Sequence, residues 1–223
     1  YRSTLRGIRT DSSKRNKIWQ GVTCMQNSSI LSLTERDRRY QLVRQAMRQR
    51  GSEALVIWGD SGKWDWKIAN LHYLSQAGGN GEEGILIFPR EGEPTLILWS
   101  GVMPAMIREW QTYGSWISDI RPRVERKYSK AIIERLKELK LTKATVDVTG
   151  LDESERTPFP QGIYALLREG LPEARFQDAS GMLEEIREVK SAEEISLMER
   201  AVQIGESAVE TMAEMLRPGI LEN

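Results

Sequence analysis

The amino-acid sequence predicts an α/β fold: a mixed β-sheet flanked by helices, followed by one long amphipathic helix. Short apolar runs of strand length alternate with segments whose apolar residues recur at helical spacing. A turn-rich link, Pro89-Arg-Glu-Gly-Glu-Pro94, joins two of the runs and predicts an antiparallel hairpin, so the sheet is not purely parallel. The last periodic segment is much longer than the others and predicts a helix of roughly seven turns at about 3.6 residues per turn.

Residues 1–24 show no periodicity and are expected to form a disordered or non-native tail. The chain begins with Tyr1, and Met25 is a candidate for the true start. Ser32 or Thr34 can cap the first helix, and Glu35 and Asp37 stand in its first turn, where the helix dipole favours acids. Tyr40, Val43, Ala46 and Met47 lie on one face, and Gly51 ends the helix. Ala54-Leu-Val-Ile-Trp58 reads as a buried strand. Residues 59–83 are irregular, broken by Gly59, Gly62, Gly78, Gly79 and Gly81, with a short ordered piece over residues 70–75. Residues 85–88 and 95–99 are the hairpin strands. A helix is expected over residues 102–110 and a strand over 116–120. Residues 128–139 predict an amphipathic helix with Ile132, Ile133, Leu136 and Leu139 on its face. A strand follows over 144–148, then a helix over 163–168, a short strand over 174–176, and a helix starting near Ala179.

The final helix has the clearest signature. Ser191 and Glu194 make a capping box, and Ile195, Met198, Ala201, Val202, Gly205, Val209, Met212 and Leu216 form an apolar stripe. The domain before it has little need of this helix, so the stripe predicts a further domain or a partner chain.

Hydrophobic residues make up 39% of the chain and charged residues 29%, a globular balance. Residues 1–24 hold six of the 32 Lys/Arg and one of the 32 Asp/Glu, leaving the rest at 26 against 31. A mildly acidic body argues against nucleic-acid binding, and the basic start lacks the interleaved aromatics of a stacking platform. The single cysteine, Cys24, excludes an internal disulfide framework and a multi-cysteine zinc site. No apolar run approaches the ~20 residues of a membrane span, and no signal-peptide core is present, so a cytoplasmic protein is expected.

No self-sufficient catalytic constellation is found. Gly59-Asp-Ser-Gly62-Lys63 lacks the phosphate-loop spacing, and Gly78-Gly-Asn-Gly81 reads as a turn. His72, the one histidine, reads as structural, packed or half-exposed among Leu71, Tyr73 and Leu74. Asp60, Asp65, Glu82 and Glu83 read as a solvated polar loop rather than a cation site. Trp58 and Trp99 fall at strand ends. Trp64 and Trp66 flank Asp65 in the irregular stretch, where large apolar side chains need something to pack on. Core packing is the default reading for each of these tryptophans.

The segment Ile186-Arg-Glu-Val-Lys-Ser191-Ala-Glu-Glu-Ile195, followed by Met198, Ala201 and Arg217-Pro-Gly219, resembles a known junction. It is similar to that of the creatinase, Xaa-Pro aminopeptidase and prolidase family, the M24-type metallopeptidases. There R-x-x-K-[ST]-x-x-E-[IL] precedes the catalytic domain, whose first helix ends in R-P-G or a close variant. Arg187, Lys190, Ser191 and Glu194 match that segment. Asn70-x-x-Tyr73-Leu74 resembles the family's N-x-x-Y-L-[ST] piece. The resemblance covers about residues 33–223.

It implies a creatinase-like N-terminal domain over residues 25–185. Residues 186–223 would be the linker and first helix of a truncated pita-bread catalytic domain. In that domain two Asp, one His and two Glu hold two divalent metals, manganese, cobalt or zinc, and a metal-activated hydroxide attacks the scissile carbonyl. Those ligands follow the final helix, so no catalytic or metal residue is expected in this chain, and the chain alone is expected to be inactive. In this family the N-terminal domain also mediates dimer or tetramer contacts, and a tryptophan from it can wall the partner's substrate pocket. Trp110 is the best positional match, with Trp64 and Trp66 as alternatives. The loop around Trp64 and Trp66 is longer than the family norm, which leaves the substrate open. The expected partners are a second copy and a short proline-containing peptide or small amide, with no nucleic acid and no membrane. The alternatives are a hydrolase of non-peptide C–N bonds, as in creatinase or ectoine hydrolase, and a non-catalytic interaction module.

Overall fold

The computed structural model describes residues 31–60, 65–77, 83–99, 116–152 and 157–217 of the 223-residue chain. Helix α1 (Leu33–Arg50) is capped by the Ser32 hydroxyl, which accepts from the Glu35 amide, and closed by Gly51 at φ +70°. It leads into β1 (Ala54–Asp60). A 3-10 turn (Asp65–Ile68) runs into α2 (Ala69–Ser75). Then come β2 (Glu83–Pro89), β3 (Thr95–Leu98), β4 (Asp119–Pro122), α3 (Tyr128–Glu138) and β5 (Thr145–Val148). Helix α4 (Gln161–Gly170), β6 (Arg175–Asp178), α5 (Met182–Glu188) and α6 (Ala192–Met215) complete the order.

The six strands form one sheet in the order β4-β3-β2-β1-β5-β6. Strand β2 is antiparallel to both its neighbours, and the other pairs are parallel. This is the mixed sheet expected from the hairpin, whose strands pair Gly84 with Leu98 and Ile87 with Thr95. Side chains alternate between faces along a strand and so divide the core in two. Leu55, Ile57, Leu86 and Phe88 face α1, α2 and α5, where Val43, Met47, Leu71, Leu74 and Leu183 cover them. Ala54, Val56, Ile85 and Ile87 face α3 and α4, meeting Ile132, Leu136 and Leu167. The result is a sheet covered by helices on both faces.

Polar groups pin this packing. Asp147 on β5 is fully buried and accepts from the Ser52 hydroxyl at 2.6 Å, Gln177 at 2.8 Å and Arg50 Nε at 3.1 Å. It thereby ties the end of α1 to the middle of the sheet.

Several boundaries differ from the expectation by a few residues. The strand expected over 116–120 starts at Asp119, because β3 has four residues and its parallel partner begins opposite Thr95. Trp116 and Ile117 are buried ahead of it. The strand expected over 174–176 runs to Asp178. The helix expected near Ala179 begins at Met182, because the Asp178 carboxylate accepts from the Ser180 amide at 3.1 Å and holds a turn there. The helix expected over 102–110 lies outside the described residues.

Candidate functional site

The family-like segments meet at one place, the junction between the sheet domain and α6. Ser191 caps α6: its hydroxyl accepts from the Glu194 amide at 3.1 Å, while the Ser191 amide donates to Glu194 Oε2 at 2.8 Å. The expected capping box is therefore present, but Glu194 does more than cap. Arg39 Nη2 donates to its Oε1 at 2.9 Å and Arg38 Nη2 to its Oε2 at 3.2 Å. Arg39 is buried, and it also donates through Nε to Glu35 at 2.7 Å and through Nη1 to the Tyr73 carbonyl at 2.7 Å. Its guanidinium carbon lies 4.1 Å from the Tyr73 ring centroid and 5.2 Å from that of Trp116. Both distances are within cation–π range. One arginine thus joins α1, α2 and α6.

The neighbouring contacts run in parallel. Glu193 receives the Ser32 amide at 2.6 Å and the Ser32 hydroxyl at 2.7 Å, so an acid in the first turn of α6 engages the N-cap of α1. Arg187 on α5 donates to Asn70 Oδ1 on α2 at 2.7 Å. Lys190 is exposed and donates to the carbonyls of Glu188, at 3.2 Å, and Arg187. It serves the turn between α5 and α6 rather than the domain.

The electrostatics follow from burial against pairing. Burial alone would raise the Glu35 carboxyl, but hydrogen bonds and charge from Arg38 and Arg39 outweigh it and hold the group at about 2. Burial pushes the Tyr73 hydroxyl up. Among the described residues that hydroxyl has no hydrogen-bond partner, so Tyr73 contributes its ring and its carbonyl there.

A second cluster stands where β1 and β3 end and β2 begins. Tyr128, at the start of α3, donates its hydroxyl to the Glu83 carbonyl at 3.1 Å and meets Trp58 edge-to-face at 5.4 Å. Arg123 lies 4.9 Å from the Tyr128 ring and 5.9 Å from that of Trp99, and pairs with Glu83 at 3.5 Å. Trp99 is half exposed and Trp58 partly buried, so neither is a fully enclosed core residue. Glu83 opens β2 opposite Asp60 and is ion-paired, which corrects its reading as part of a solvated loop.

The tryptophans expected at a partner's pocket are less accessible to description. Trp110 and Trp64 lie outside the described residues. Trp66 falls in the 3-10 turn after β1, where the backbone but not the side chain is described. His72 is exposed on α2, with Nδ1 3.1 Å from the Ala77 carbonyl, and is not packed among its apolar neighbours. Sequence reasoning passed over Arg39, the centre of the junction. Its available signal was the Glu35–Arg39 spacing of one helical turn, alongside Arg38 at three residues.

The creatinase/prolidase N-terminal domain model matches residues 39–189, more than half of the chain. The chain belongs to this family. The family match ends just before α6, with Arg187 inside it and Ser191 and Glu194 beyond it. No curated protein sequence matches. Among solved structures, the X-Pro aminopeptidase from Thermotoga maritima MSB8 superposes with a TM-score of 0.58 at 18% identity, covering 80% of this chain and 45% of that one. The prolidase from Pyrococcus horikoshii OT3 gives 0.53 at 18%, covering 82% and 44%. The dipeptidase PepE from Mycobacterium ulcerans gives 0.51 at 22%, covering 74% and 40%. At these identities the likeness establishes the creatinase-N fold, and the chain spans less than half of each of the three.

Among the described residues no three His, Cys, Asp or Glu side chains come together as a metal site, and no helix is long and apolar enough to cross a membrane.

Proposed function

We propose that this creatinase-N domain is the specificity and assembly domain of a dinuclear-metal hydrolase acting on Xaa-Pro peptides, as an aminopeptidase or a dipeptidase. In this reading α6 is the first helix of the catalytic domain, residues 186–223 are the linker and that helix, and two Asp, one His and two Glu downstream bind manganese, cobalt or zinc. The observation that supports it is the meeting of two family-like segments far apart in sequence: Arg187 bonds Asn70, and Glu194 reaches Tyr73 through Arg39. The apolar stripe of α6 supports it as well, since Met198, Val202, Val209 and Met212 are all more than half exposed and call for a covering surface.

The chemistry then belongs to what α6 leads into, and this domain shapes the pocket. Trp64 and Trp66 follow the end of β1 in the chain, and Trp110 follows β3. We assign them to the wall of the substrate pocket of a second copy in a cytoplasmic homodimer. Determining the coding sequence after Asn223 tests the reading. An open frame supplying two Asp, one His and two Glu supports it, and an immediate stop codon rules it out.

A further inference from the structure

From Met198 onward every described residue of α6 is exposed. Among the described residues the helix therefore has no lateral packing over most of its length, and its direction rests on its base. With 24 residues at 1.5 Å each it extends about 36 Å, so a swing of about 10° at the base moves the tip by about 6 Å. A joint that carries such a lever is either a hinge or a clamp.

The base has the construction of a clamp. Both carboxylate oxygens of Glu194 are engaged, Oε1 by Arg39 and Oε2 by Arg38 and the Ser191 amide. Both oxygens of Glu193 are engaged by Ser32. Arg39, 4% exposed, is held on its other sides by Glu35, the Tyr73 carbonyl and two aromatic rings. Arg187 fixes α5, the element before the joint, to α2 through Asn70. The contacts that tie α5 and α6 to the rest of the domain span 117 to 161 residues of sequence, and they leave neither Glu193 nor Glu194 an unengaged carboxylate oxygen.

We propose that Arg39, Glu194 and the Ser32–Glu193 pair form a rigid clasp that sets the exit angle of α6. They are positioning residues. Whatever follows α6 is held at a fixed attitude to α1 and α2. The clasp stands on its own geometry and does not depend on the chemistry proposed above.

The test is a distance distribution measured by pulsed electron–electron resonance on the full 223-residue chain. Spin labels are placed at Lys137→Cys on α3 and Glu206→Cys on α6, both exposed, in a Cys24→Ser background. A clasped helix gives one narrow distribution. Glu194→Gln weakens the pair with Arg39 and is expected to raise the population outside the main peak about tenfold or more, with Glu193→Gln intermediate. Circular dichroism verifies that each variant remains folded, and Glu193→Gln decides the matter if Glu194→Gln does not fold. A broad distribution in the unaltered chain, or an unchanged width in the folded variants, overturns the proposal.

Discussion

Replacing Arg39 by methionine tests how much of the domain's stability depends on the junction. The substitution keeps the length and apolar stem of the side chain and removes its charge. It leaves the Tyr73 carbonyl without its donor and takes one of two cations from Glu35, which is 3% exposed. Breaking a buried ion pair costs about 3–5 kcal/mol, and an orphaned buried carbonyl about 1–3 kcal/mol. Arg38 still binds Glu35 through two hydrogen bonds, at 2.7 and 2.8 Å, which places the expected loss near the lower end, about 3 kcal/mol. For a domain of this size that corresponds to a fall in Tm of about 6–12 °C. Urea unfolding followed by circular dichroism and tryptophan fluorescence measures it. Adding Glu35→Gln should recover part of the loss, since the acid then needs no cation. A loss below about 1 kcal/mol, with additive double-variant behaviour, would mean that Arg39 acts like an ordinary surface charge and would refute the reasoning.

Four further outcomes are expected. Tyr73→Phe should be neutral or slightly stabilising in chemical denaturation, because the hydroxyl it removes is buried without a partner among the described residues, while Tyr73→Leu should destabilise by losing the ring under Arg39. The Glu35 carboxyl sits at about 2 against an ordinary 4.5, so its contribution is complete above the ordinary value and is lost as pH falls from there through about 2. The urea midpoint should drop across that window and drop less in Glu35→Gln. Gly150→Ala should cost at least about 3 kcal/mol in the same unfolding assay, since the backbone is at φ +82° and a Cβ would stand 2.4 Å from the Thr157 carbonyl oxygen and 2.7 Å from the Phe159 nitrogen. In an oligomer carrying the catalytic domain, Trp110→Ala should raise KM or lower kcat with little loss of stability, whereas a large stability loss with unchanged kinetics would make Trp110 a core residue.

What could be read from the sequence divides along physical lines. The start of α6 was legible because a capping box is local chemistry, with both partners inside four residues. The hairpin was legible for the same reason, its turn residues lying between two apolar runs. The onset of β4 was not, because an edge strand takes its register from its neighbour: Trp116 looks like a strand residue, but pairing begins at Asp119 opposite Thr95. Arg39 was invisible because it sits in the run Glu35-Arg-Asp-Arg-Arg39, which reads as a solvated helix face. Only the fold reveals that Glu194, Tyr73 and Trp116 enclose it. The stripe on α6 predicts a face with no partner in the preceding domain, and among the described residues the helix is exposed from Met198 onward.

As proposed above, this creatinase-N domain serves a metal-dependent Xaa-Pro hydrolase whose chemistry lies beyond α6. The most direct measurement compares manganese-dependent hydrolysis of a Gly-Pro dipeptide and a longer Xaa-Pro peptide by the 223-residue chain and by the protein extended through its downstream reading frame. Turnover of at least one substrate by the extended protein, and none by the 223-residue chain, is the expected result. Turnover by the shorter chain, or none by a folded, metal-loaded extended protein, would contradict it.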